Sequence, residues 1–326
     1  MCRLSVQNGV NKISDPGKKG FLYSAWFFIY KYRYLHLFAF PCILYFVIFR
    51  YLPMYGIIMA FKNFRGIGGF AGIWKAPWAG FNNFINFFSG IYFWRLMGNT
   101  LIISCYRLMF AFPAPIILAL LINELRNRLF KRTVQTITYM PYFLSWVVTA
   151  GLIITLCSPS SGPINLLLGK LFGVEPIYFV SNRNYFRGLL VVSDIWKSIG
   201  WGTIIYLAAI TGVSMELYEA ATIDGANRWQ KTIYITLASI QEIIAIMFIL
   251  AVGRILDQNF EQIFNLYSPA VYEVADVFET YVYRAGILQS QFSYTTAVGL
   301  FKSVVSLLLV FISNRVAKRL GTEGLW

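Results

Sequence analysis

Six stretches of this chain are apolar over close to 20 residues each, at roughly 34–52, 100–122, 134–157, 188–212, 240–264 and 296–313. A hydrocarbon core about 30 Å thick takes about 20 residues of helix to cross, and no backbone amide or carbonyl goes unpaired inside it. The pattern predicts an all-α integral membrane protein with six transmembrane helices. Composition agrees, since hydrophobic residues make up 58% of the 326 and charged ones only 13%, against roughly 25% charged in soluble domains. Pro41, Pro113, Pro115 and Pro141 interrupt three of the runs, which a membrane helix tolerates when neighbours satisfy the freed carbonyls.

Little here suggests enzyme chemistry. Cys2, Cys42, Cys105 and Cys157 share no CxxC spacing, and three of them sit in apolar runs as small hydrophobes do. Neither a disulfide nor a metal site is expected. The single histidine, His36, begins an apolar run far from any carboxylate or cysteine cluster. Residues 1–33 lack the apolar core of a cleaved leader. They are expected to stay on the cytoplasmic side, with the aromatic stretch Phe21 to Leu35 at the membrane interface.

Lysine and arginine counts set the orientation. With the N-terminus inside, segments on the cytoplasmic side hold 15 basic residues and those on the other side 9. Both termini are therefore expected in the cytoplasm. The net charge of +14 then reflects topology, and no nucleic-acid partner is implied.

On that topology the stretch ELYEAATIDGANRWQKTIYITLA, Glu216 to Ala238, is a polar cytoplasmic loop before the fifth span. Ser214 can cap a helix with acids in its first turns. Gly225 allows a sharp turn, after which Trp229, Ile233 and Leu237 recur at i, i+4 and i+8 as an apolar stripe. Two short helices joined at a glycine would form a knob.

Glu219, Ala220, Ala221, Gly225, Ile235 and Leu237 resemble the EAA loop of permease subunits of binding-protein-dependent ABC importers. FRYLPMYGIIMAFKNF, FPAPIILALLINELRNRLFKRTVQTITYMPYF and VVSDIWKSIGWGTIIYLAAI are similar to the branch that carries oligosaccharides and polysaccharide fragments, including the alginate importer. The resemblance implies a type I permease fold, with a five-helix core at 96–313, one added helix and outer loop at 34–95, and a cytoplasmic tail at 314–326. It also implies partners: a second homologous permease, two ATPase subunits that bind ATP and Mg, a solute-binding protein, and an oligosaccharide as substrate, alginate-like if acidic. This chain has no GxxxxGK[ST] loop, so no nucleotide cofactor is expected within it. Glu219, Ala220, Ala221, Asp224 and Gly225 would dock the ATPase. In this family Leu237 is usually followed by proline; with Ala238 there, the second short helix is expected to run on into the fifth span.

Six ionisable residues fall inside the apolar runs: Arg107, Asp194, Lys197, Arg254, Asp257 and Lys302. Charges at that depth face a cavity or a partner. Asp194 with Lys197, and Arg254 with Asp257, stand at i, i+3 and can neutralise each other. Alternatively the six, with a net charge of +2, line a path for an acidic sugar. A neutral-sugar importer is the alternative; a secondary transporter and a membrane-embedded enzyme fit less well. The acids Glu261, Glu273, Asp276 and Glu279, with Asp257, are expected to form a solvated face or a docking edge for the binding protein.

Overall fold

The computed structural model describes residues 30–319 together with Gly321 and Gly324; the polar segment at 1–29 lies outside the described residues. Contacts divide the chain after Ile57 into two units. The first consists, among the described residues, of most of helix α1 (Arg33–Phe61), which carries Pro41 in its interior and buries none of its residues 33–46. Apolar on all sides, it is built for contact with lipid or another chain.

The second unit, from Ile58, is helical wherever it is regular. Helices α2 (Gly69–Lys75) and α3 (Asn82–Ser89) precede α4 (Tyr92–Asn123). α4 passes Pro113 and Pro115 unbroken because the turn before them is widened: the Phe112 amide bonds the Arg107 carbonyl, five residues back, at 2.9 Å. The span expected at 134–157 is not straight. It is α5 (Arg128–Phe143) followed by α6 (Trp146–Leu156), bent by 105°. Pro141 lies just before the bend, where Leu144 and Ser145 turn extended and the Ser145 hydroxyl caps α6.

After α7 (Pro163–Phe172), α8 (Arg183–Thr211) runs 29 residues, about 43 Å at 1.5 Å per residue. Two short helices follow, α9 (Met215–Ile223) and α10 (Arg228–Leu237), then α11 (Gln241–Gly253). The span expected at 240–264 therefore ends eleven residues early: the chain leaves the helix at Arg254 and forms the separate α12 (Phe260–Leu266). Short helices α13 (Tyr272–Ala275) and α14 (Phe278–Val282) lead to α15 (Phe292–Arg319). Among the described residues three helices are long and apolar enough to cross a membrane unbroken, and the number rises to as many as six if each of three bent pairs is one span.

Three apolar clusters hold this unit together. Ile103, Ile153, Phe186, Leu190 and Ile263 join α4, α6, α8 and α12. Phe87, Leu96, Phe278 and Val298 join α3, α4, α14 and α15. Ile116, Tyr206, Ile210 and Ile240 fill the end nearest residues 215–237. Small and polar residues let the helices approach closely between the clusters. Gly200 of α8 is the extreme case, since a Cβ there would lie 2.2 Å from the Thr138 carbonyl oxygen of α5.

Candidate functional site

The loop folds as two short helices hinged at a glycine. Ser214 caps α9 by accepting from the Glu216 amide at 3.2 Å. Gly225 takes φ +77°, a left-handed conformation that a Cβ disfavours. Asn227 and Gln230 then cap α10 reciprocally. The two helices are tied by the Tyr218 and Thr236 hydroxyls at 2.8 Å and by Lys231 Nζ donating to Thr222 Oγ1 at 2.7 Å.

Glu219, Ala220, Asp224 and Gly225 are exposed and Ala221 is half-buried. Among the described residues neither Glu219 nor Asp224 has a side-chain partner. They share this surface with Met215, Leu217, Ile223 and Trp229, all large, apolar and exposed. The expected stripe is one residue out of phase: Thr232, Thr236 and Ile240 are buried, while Trp229 stands 72% exposed. The widened turns of Thr232–Leu237 shift the register away from 3.6 residues. The expected run-on into the fifth span does not occur either. α10 and α11 are bent by 63° near Ile240, so the break needs no proline.

The embedded charges gather in a different way from that expected. Neither i, i+3 pair forms. Asp194 of α8 faces Arg107 of α4 at 3.7 Å, and Arg107 also donates to Gln258 at 2.9 Å and Gln262 at 2.5 Å. Asp257 pairs with Lys302 of α15 at 2.5 Å, and Lys302 reaches Glu279 at 2.8 Å. Asp194 turns to Arg107 across the helix interface, and Arg254 and Asp257 lose helical i, i+3 spacing because the helix ends at Gly253. Lys197 stands apart from this group, bonded to backbone carbonyls of the α5–α6 bend.

Arg107, Arg254 and Asp257 line one cavity of about 220 Å³ together with Ser104 and Gln258. A second, of about 300 Å³, continues from Arg254 toward Tyr206 and Met247. Arg254 is exposed and its side chain has no ion-pair or hydrogen-bond partner among the described residues. It is the cation of the group left open to a ligand.

The acidic face expected of Asp257, Glu261, Glu273, Asp276 and Glu279 is not one surface. Asp276 is fully buried, held by Arg284 at 2.5 Å and Arg95 at 3.5 Å, and Glu279 joins the Lys302 cluster. Glu261 stays exposed, and Glu273 pairs with Arg183. Adding Glu279 to the six charges read from the sequence gives four cations against three carboxylates, a formal net charge of +1. Gln258 and Gln262 escaped the sequence reading, although they recur with Arg254 at every fourth residue, and Glu279 was expected on the acidic face instead.

An all-helical membrane unit with an exposed glycine-hinged loop and a charged cavity defines a transport permease. A family model described as binding-protein-dependent transport system inner membrane component matches residues 111–322, and the chain belongs to that family. It is 45% identical to Protein LplB of Bacillus subtilis (strain 168) over 90% of this chain and 91% of the relative. It is also 45% identical to the polygalacturonan/rhamnogalacturonan transport system permease protein YteP of the same organism, over 90% of each. A chain of a bacterial alginate ABC transporter, solved in complex with alginate pentasaccharide-bound periplasmic protein, superposes with TM-score 0.84 at 40% identity, covering 92% of this chain and 99% of that one.

Proposed function

We propose that this chain forms part of the translocation path of an ATP-driven importer for an acidic oligosaccharide. It would work with a second permease, two ATPase subunits that bind ATP and Mg, and a solute-binding protein, with both termini in the cytoplasm. The observation that carries the acidic substrate is Arg254. Arg107 and Lys302 are neutralised by carboxylates and amides, whereas the Arg254 guanidinium, unpaired among the described residues, opens into a cavity whose lining it shares with Arg107 and Asp257. An anionic sugar entering there exchanges water for a fixed cation, which lowers its desolvation cost. Two printed names support the class: a polygalacturonan/rhamnogalacturonan permease and an importer of the acidic polysaccharide alginate. The exposed loop supports docking of an ATPase, because Glu219 offers an unpaired carboxylate and Ala220 leaves the backbone accessible.

Uptake of acidic and of neutral oligosaccharides into vesicles containing the assembled transporter tests the substrate class. Arg254→Gln removes a charged hydrogen-bond donor worth about 1.5–3 kcal/mol, so acidic uptake should fall roughly tenfold or more while neutral uptake holds. Arg107→Gln and Lys302→Gln leave carboxylates unpaired and should impair both substrates alike. Equal loss of both substrates in Arg254→Gln, or no loss, contradicts the acidic reading.

A further inference from the structure

We propose that Lys197 is a clamp that makes the bent α5–α6 segment move as one body with α8, so that displacement of the 215–237 loop reaches the centre of the permease. The inference rests on the coupling role proposed for that loop.

A helix broken inside a membrane frees carbonyls that must find donors. At the 105° bend three of them, on Pro141, Tyr142 and Leu144, converge on the Lys197 ammonium. An ammonium has three donors, so all of them are engaged. The rings of Tyr142 and Trp146 lie 5.8 and 5.4 Å from Nζ, close enough for cation–π attraction. No carboxylate stands within ion-pair distance of Lys197 among the described residues. Its charge is thus held by backbone dipoles and aromatic faces, and no donor remains for a substrate.

The clamp is not isolated. Tyr142 stacks on Trp201 with ring centroids 4.6 Å apart and planes 4° from parallel. One residue earlier, Gly200 brings the α8 backbone against Thr138 so closely that a Cβ would lie 2.2 Å from its carbonyl. Carbonyl bonds, ring contacts and backbone apposition therefore fall within residues 138–146 on one side and 197–201 on the other. On the far side of this patch α8 ends at Thr211, and Ser214, which caps α9, follows three residues later. The loop follows the helix that carries the clamp after a 71° bend across three residues. If the two segments slid past each other in each cycle, three bonds to a buried ammonium and a parallel stack would break at low dielectric. Moving together leaves them intact and makes α8 the lever of a rigid-body transition.

The test uses the complete transporter with its partner subunits and with Cys2, Cys42, Cys105 and Cys157 replaced by serine. Tyr142→Cys and Trp201→Cys are joined by a short bifunctional thiol reagent, and ATP-driven uptake is compared before and after joining. Rigid-body motion predicts uptake within about twofold of the unjoined double variant. Loss of uptake on joining means the segments move apart and overturns the clamp. In parallel, Lys197→Met should lower uptake per ATP hydrolysed by roughly tenfold or more with the ATPase still bound, and Lys197→Arg should recover part of it. A wild-type ratio in Lys197→Met also overturns the proposal, and if that variant does not assemble the joining experiment decides alone. Failure of the docking reading appears elsewhere, as full ATPase content in Glu219→Ala, and is distinguishable from both.

Discussion

Substitutions at Gly225 probe the loop through its backbone alone. The residue has φ +77°, and a Cβ built there meets no heavy atom within 4 Å. Collision contributes nothing, so the cost is that of holding an L-residue in the left-handed region. For alanine that is about 1–2 kcal/mol, roughly 5- to 30-fold in the population of the native hinge. Asparagine tolerates the conformation, and valine, branched at Cβ, suffers most. The expected order of impairment is Gly225→Asn, then Gly225→Ala, then Gly225→Val. The assay is the amount of ATPase retained on purified permease together with ATP-driven uptake, alongside the melting temperature of the permease. Because the hinge is exposed and contributes no residue to the three apolar clusters, melting should not follow the series. Wild-type coupling in Gly225→Val, or a parallel fall in melting temperature, refutes the argument that the hinge acts by its backbone shape.

Glu219→Ala should keep the fold and lower ATPase retention about 30-fold or more, the usual effect of truncating one partner of a charge pair that binding buries; unchanged retention contradicts docking through this carboxylate. Asp276→Asn removes the buried carboxylate shared by Arg284 and Arg95. Breaking a buried pair costs about 3–5 kcal/mol, and the partial exposure of both arginines reduces this to about 2 kcal/mol, readable as a lower melting temperature in detergent. A cysteine placed near Arg128 should react with an impermeant thiol reagent only from the cytoplasmic side, and one near Gly173 only from the opposite side; labelling of both from one side contradicts the orientation.

The apolar runs made the helices legible because membrane depth imposes a length that composition reveals. Their breaks were less so. Nothing in YMPYFLSW specifies a 105° turn; Pro141 makes it affordable, and Lys197, 53 residues beyond Leu144 in sequence, stabilises it. The loop was legible as a glycine hinge with a serine cap, since caps and left-handed turns are local. Its buried stripe was misplaced because Thr232–Leu237 departs from the 3.6-residue period. The charged residues were found by their cost at depth, but their partners were assigned along the chain. Asp194 to Arg107 and Asp257 to Lys302 are contacts between helices, and no spacing rule encodes them.

The most direct test of the account is uptake of a labelled oligouronate into sealed vesicles holding this permease, its partner permease, the ATPase and the loaded solute-binding protein, with ATP or a non-hydrolysable analogue inside the compartment facing the loop. The account predicts accumulation with ATP, none with the analogue, and loss of accumulation when Gly225→Val replaces the native residue. Equal accumulation with ATP and with the analogue would contradict it.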